Sequence, residues 1–217
     1  MFLISRPSPK LIRKFLEEQA GKSFSYSEIG ATNSQLPPGY SINHTRKQVG
    51  FGTEVFEASC AALRTWQHLQ LGWVDCWPHD APLQAGSQIA VLGKALGFWS
   101  LNACRIAYTI DERGEGAKFG YAHGTLPAHI ATGEERFLVE MATDGQVFLD
   151  ILAFSRPNTL LAKIGYPFMK RAQKRFGRES ARCFLECVKN AAAQNIPSSQ
   201  SVEPALQLEA GEPQNSH

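Results

Sequence analysis

Apolar residues in the first third of the chain recur mainly at helical spacing. Ser8 and Pro9 precede Leu11, Ile12, Phe15 and Leu16, an N-cap followed by a short amphipathic helix that ends near Gly21. From Ser23 to Gly39 the composition turns to Ser, Gly, Pro and Tyr and reads as a connecting segment. Tyr40 to Gly50 reads as an extended polar strand. After Gly52, the residues Val55, Phe56, Cys60, Leu63, Trp66 and Leu69 return at spacings of three and four, which predicts an amphipathic helix over about Thr53 to Leu69.

The period then shortens. Strands are predicted at Trp73 to Trp77, Gln88 to Leu92, Phe98 to Ile110, Ala117 to Thr125, Glu134 to Ala142 and Gln146 to Phe154, with Gly, Asp and Pro at the junctions. Asp111 to Gly114 and Asp144-Gly145 are hairpin signals, so these strands are expected to be antiparallel. Beyond Pro157 the helical period returns through Leu160, Leu161, Ile164, Phe168, Ala172, Phe176, Phe184, Leu185 and Val188, with Gly165 and Pro167 kinking the first turns. After Asn195 the chain is rich in Pro, Ser, Gln and Glu and too poor in apolar residues to repay ordering, so a disordered tail is expected over 195–217.

This order describes an α+β domain over 23–194, preceded by an N-terminal helix over 1–22. The plan is a helix grip, in which a curved antiparallel β-sheet wraps around a long C-terminal helix and the helices cover one face. Four stretches carry a family resemblance: Phe24-Ser-Tyr-Ser-Glu-Ile-Gly-Ala-Thr32, Gly124-Thr-Leu-Pro-Ala-His129, Gly133-Glu-Glu-Arg-Phe137 and Ala153-Phe-Ser-Arg-Pro157. In this order, over roughly Phe24 to Lys189, they resemble uncharacterised protein family 0548, a group with a domain of unknown function. His123 stands where that pattern leads one to expect an aromatic residue. The resemblance implies a fold similar to the START and Bet v 1 type, whose members often hold lipophilic ligands between sheet and helix, and it implies no chemistry.

Strand alternation adds a site. If consecutive strands reverse direction, the Gly124 to Gly133 loop, Ser155-Arg156-Pro157 and the Gly93 to Gly97 connection with Lys94 share one end of the sheet. Glu135 shares a face with Phe137, Val139 and Met141, and Tyr121 and His123 share one with Phe119. Candidate ligand contacts are therefore Tyr121, His123, Thr125, His129, Glu134, Glu135, Arg136, Ser155 and Arg156. Gly124 and Pro127 read as turn formers, Gly by tolerating positive φ, and Ser155 as a helix cap.

Charge and composition narrow the classes. With 22 Lys plus Arg against 20 Asp plus Glu, the net charge of +2 does not call for nucleic acid. The last helix gathers Lys163, Lys170, Arg171, Lys174, Arg175, Arg178, Arg182 and Lys189, read as a solvated face that at most touches a membrane peripherally and weakly. The five cysteines are scattered without C-x-x-C spacing and the histidines without metal-site spacing, so neither metal nor cofactor is expected. Cys183 and Cys187, one turn apart, read as buried thiols, and the four tryptophans as core. Without an apolar leader or a membrane-length run, the cytoplasm is the expected location. The leading expectation is a binder of a small lipophilic or amphipathic molecule. The alternatives are an acid/base enzyme of the same fold, cyclase- or dehydratase-like, working through His129 with Glu135 or Glu134, and a membrane-associated or pore-forming β protein.

Overall fold

The computed structural model describes residues 1–158 and 166–194, with side chains of the last helix from 170 to 191. The expected tail and the residues Leu160, Leu161, Lys163, Ile164 and Gly165 lie outside the described residues. Element order is β1 (Phe2–Leu3), α1 (Pro9–Glu17), β2 (Ser41–Phe51), α2 (Thr53–Arg64), β3 (Val74–Trp77), β4 (Gln88–Ala95), β5 (Phe98–Glu112), β6 (Lys118–Thr125), β7 (Ala131–Met141), β8 (Gln146–Pro157) and α3 (Tyr166–Gln194). Short 3-10 turns occupy Ala31–Asn33 and Gln67–Leu69.

The strands form one antiparallel sheet ordered β2-β8-β7-β6-β5-β4-β3, with β1 added beside β5. Irregularities at Gln48/Gly50 and Ile106/Tyr108 interrupt the ladders, a device that sharpens sheet curvature. The concave face holds the main core. Phe56, Cys60 and Leu63 of α2, with Trp66 beyond it, meet Ile89, Ile106, Tyr121, Phe137 and Leu149 of the sheet and Phe184 and Val188 of α3. This is the expected helix grip, with one difference. The stripe Ile12, Phe15 and Leu16 of α1 packs on the opposite face, against Ala90, Leu92, Trp99, Leu101 and Ala103. The alternation of β5 requires this: Trp99, Leu101 and Ala103 are apolar on one face while Cys104 and Ile106 belong to the other, so both faces need cover.

Ser8 caps α1 by accepting from the Leu11 amide at 3.3 Å. Ser155, expected as a helix cap, instead lies within β8, paired across to Ser41 and Gly133. Gly124, expected in a turn, lies within β6 without a positive φ. Its missing side chain makes room, since a Cβ there would stand 2.1 Å from the Tyr26 hydroxyl. Trp66 and Trp99 are buried as expected, while Cys183 and Cys187 are half-buried on α3. Among the described residues, no helix is long and apolar enough to cross a membrane.

Candidate functional site

Toward the Thr125 end of the sheet, α3 and the concave face part to leave a cavity of about 550 Å³. Val74, Val91, Ile130, Ile151 and Ala153 give it an apolar wall, and Phe176 and Gly177 of α3 close it from above. Gly177 lets the helix come close to β2, because a Cβ there would meet the Thr45 hydroxyl at 2.6 Å. At its edge, Gln173 donates to Ser155 Oγ at 2.9 Å and accepts from Asn43 at 3.2 Å, joining α3 to β8 and β2. On the other side the Trp73 indole donates to Glu179 at 2.6 Å, and Arg175 lies 4.3 Å over the Trp73 ring.

Polarity rises from floor to mouth along β6 and β7. At the floor Tyr121 faces Phe137 in register with rings 5.4 Å apart, and its hydroxyl meets His68 Nε2 at 2.6 Å. One step up, His123 stands opposite Glu135, with Nε2 and a carboxylate oxygen 3.7 Å apart, beyond hydrogen-bonding range. The His123 ring is buried, and its Nδ1 has no hydrogen-bond partner among the described residues. Above these, His129 Nδ1 lies 2.9 Å from the Ala131 amide and 3.0 Å from the Ala131 carbonyl, accepting from the one or donating to the other according to the ring's tautomer. Asn102, which also lines the cavity, accepts from the Ile130 amide at 3.3 Å and donates to Val91 O at 3.1 Å.

These surroundings set the charges. Burial pushes Glu135 up to about 7, and burial lowers His123 to about 4. His129 is lowered to about 3 by burial and then by His123, and His68 to about 3 for the same two reasons. At neutral pH the imidazoles are uncharged and Glu135 is near its midpoint. The inner lining can therefore give and take hydrogen bonds and exchange a proton at Glu135, but holds no fixed charge pair.

The remaining candidates sit elsewhere. Glu134, one residue before Glu135, turns its carboxylate to the convex side and accepts from Tyr26 Oη at 2.7 Å, Gly30 N at 2.8 Å, Thr32 N at 3.0 Å and Thr32 Oγ1 at 2.5 Å. Arg136, on the same face, donates to Thr32 O at 2.7 Å and to Asp150 at 2.9 Å. Thr125 borders the cavity, but its hydroxyl is taken up by Ser25 Oγ at 2.6 Å and the Gly133 amide at 3.0 Å. Arg156 is exposed and lies 4.5 Å over the Tyr40 ring. The nine candidates thus divide into His123, Glu135 and His129 at the cavity, Tyr121 beneath it, Thr125 and Ser155 at its edge, and Glu134, Arg136 and Arg156 outside. Sequence reasoning missed Asn102 and His68; a lone Asn within the apolar run Trp99 to Ala103 was the available signal for the first, and His68 had none.

The model of the Domain of unknown function (DUF1990) matches residues 25–183. A UPF0548 protein of Dictyostelium discoideum is 33% identical over 207 residues, covering 87% of this chain and 96% of that protein. One from Deinococcus radiodurans is 33% identical over 198 residues, covering 85% and 98%. Among solved structures, that of Ara h 8.0201 is similar at a TM-score of 0.43 and 12% identity, over 72% of this chain and 100% of that chain.

Proposed function

This chain belongs to the UPF0548 family, whose members carry the domain of unknown function DUF1990, and we propose that it binds a small lipophilic or amphipathic molecule in the cavity under α3. The observation that carries the reading is the pair His123 and Glu135. Two polar side chains face an apolar cavity 3.7 Å from each other, and His123 Nδ1 has no partner among the described residues. Buried polar groups are costly when unpaired, so a ligand's hydroxyl, carbonyl or amide completing these bonds offsets that cost. The apolar wall takes the rest of the molecule, and a volume of about 550 Å³ suits one of ordinary cofactor or drug size. The uncharged histidines favour a neutral polar end over a strongly anionic one. Buried Cys60, Cys76 and Cys104, all free thiols, fit a reducing compartment, and the cytoplasm remains our assignment.

Native mass spectrometry of protein from its own host, with Nile red titration of the emptied protein, tests the reading. We expect a retained or displaceable small molecule. Ala153→Phe, which fills the cavity beside Glu135, abolishes uptake, and Glu135→Gln with His123→Leu reduces it without lowering the melting temperature. The reading falls if the parent neither carries a molecule nor takes up the dye, or if Ala153→Phe binds as well as the parent. Acid/base catalysis is favoured by one observation, the Glu135 carboxyl titrating near neutrality beside a neutral imidazole. A change in mass of the bound molecule on incubation, lost in Glu135→Gln, distinguishes turnover from binding.

A further inference from the structure

The tip of the β4–β5 hairpin breaks the rules the rest of the sheet obeys. Ala95 pairs with Phe98, so Leu96 and Gly97 form a two-residue turn, with φ of 52° and 82°. Turns with two positive φ values favour Asn-Gly or Asp-Gly, and a leucine there is strained. This Leu96 gains no burial in return, because it is 76% exposed. Phe98 beside it is 51% exposed, and on β1 and just beyond it Phe2 is 61% and Ile4 85% exposed.

Register gathers these side chains. Phe2 pairs with Ser100, so it lies diagonal to Phe98 on one face of the sheet. Alternation along β5 puts Phe98 and Ser100 on the face of Asn102, and Ser100 pairs across to Gly93. Asn102 and Gly93 both line the cavity. The apolar tip is therefore the outward continuation of the cavity wall.

The other face of the same tip is basic. Arg6 and Lys94 lie 5.5 and 5.8 Å from the Trp99 ring centre, and Arg13 lies 6.0 Å from that of Trp77. Residues 1–16 contain Arg6, Lys10, Arg13 and Lys14 and no Asp or Glu, and residues 81–110 contain none either. Asp75, paired with Arg6, and Glu179, bound to the Trp73 indole, are the acidic neighbours.

We propose that this tip, with β1 beside it, is a lip that inserts into the surface of an anionic lipid bilayer. Leu96, Phe98, Phe2 and Ile4 enter the acyl boundary, while Lys94, Lys10 and Arg13 meet the headgroups. The exposed apolar side chains then have a solvent that suits them, and the cavity wall opens toward the membrane. The lip stands independently of whether the cavity holds a ligand.

Co-sedimentation with phosphatidylcholine vesicles, with and without phosphatidylglycerol, tests it. The parent is expected to bind the anionic vesicles, less so at high salt, and Leu96→Ser with Phe98→Ser to weaken binding by on the order of tenfold or more. Leu96→Asn supplies the residue the turn favours, so its melting temperature holds or rises while vesicle binding falls. That opposite response separates docking from folding. The proposal is overturned if the parent does not bind anionic vesicles, or if the lip variants bind like the parent. It is equally overturned if binding is lost only on Arg171→Gln, Lys174→Gln and Arg178→Gln in α3, or if the parent is a dimer that the lip variants split, in which case a second copy covers the lip.

Discussion

Glu134 and Glu135 are neighbours in β7, and the two faces of the sheet treat them in opposite ways. Glu134 accepts four hydrogen bonds from Tyr26, Gly30 and Thr32. Among the described residues Glu135 has a histidine at 3.7 Å and no hydrogen bond, and burial pushes it up to about 7. One face spends its polar residues on holding the segment around residues 24–33. The other leaves Glu135 and His123 Nδ1 without a hydrogen-bond partner among the described residues, over a cavity. The family-like stretches Phe24 to Thr32 and Gly133 to Phe137 thus meet on the convex side, and of their glutamates Glu135 faces the cavity.

The largest effect expected from breaking this contrast is at Glu134. Removing its carboxylate in Glu134→Ala orphans buried donors of Tyr26 and Thr32 and costs about 4 kcal/mol, a fall in melting temperature on the order of 10 °C. A loss below about 1 kcal/mol would mean that the segment docks by apolar contact alone. Gly124→Ala attacks the same unit by steric means. A Cβ 2.1 Å from the Tyr26 hydroxyl evicts that ring, at a cost of about 3 kcal/mol. Because both variants break one network, the double variant is expected to lose less than the sum, read from a double-mutant cycle of chemical denaturation.

Glu135→Gln should act in the other direction. A carboxyl whose folded pKa is raised binds its proton more tightly when folded, so its contribution is present below the unfolded value near 4.5 and is lost as pH rises to about 7. The neutral glutamine loses nothing, so the variant is expected to be more stable than the parent by about 3 kcal/mol at pH 8 and equal to it at pH 4. The histidines run opposite. His123, at about 4 against an ordinary 6.5, withholds a proton that the unfolded chain takes, so both proteins lose stability as pH falls from about 6.5 toward 4. Thermal unfolding across pH 4 to 8 reads both slopes. A parent and variant with parallel profiles would show that Glu135 is not held protonated.

The smallest effect is expected at the cavity edge. Gln173→Ala cuts the bridge from Asn43 through α3 to Ser155, all partly solvated, and costs about 1 kcal/mol or less. Its clearer readout is kinetic, a faster uptake and release of Nile red at similar affinity. Unchanged rates would mean that this edge does not gate the cavity.

Much of this fold was legible in the chain. Period-two segments with glycine at Gly114 and Gly145 located two hairpins, because a side chain must alternate in a strand and a tight turn between strands favours a residue with positive φ. The three-and-four spacing of Phe56, Cys60 and Leu63 located α2 and its buried face. Alternation also put His123 and Glu135 on the face of Phe137, where they stand. The strand ends were less legible: Ser155 to Pro157 continue β8 because Ser41 and Ala131 offer them partners, which the local sequence does not show.

What the sequence alone determined is parity, the order of elements and the pairing of neighbouring strands, all of which follow from local backbone geometry. Only the tertiary structure decided which face would be filled. Glu134 is satisfied because residues more than a hundred positions earlier fold back over it, and Gly124 is small because Tyr26 must pass. Hydrogen bonding and burial depend on what a distant segment brings, so two adjacent glutamates of identical chemistry could be told apart in side but not in fate.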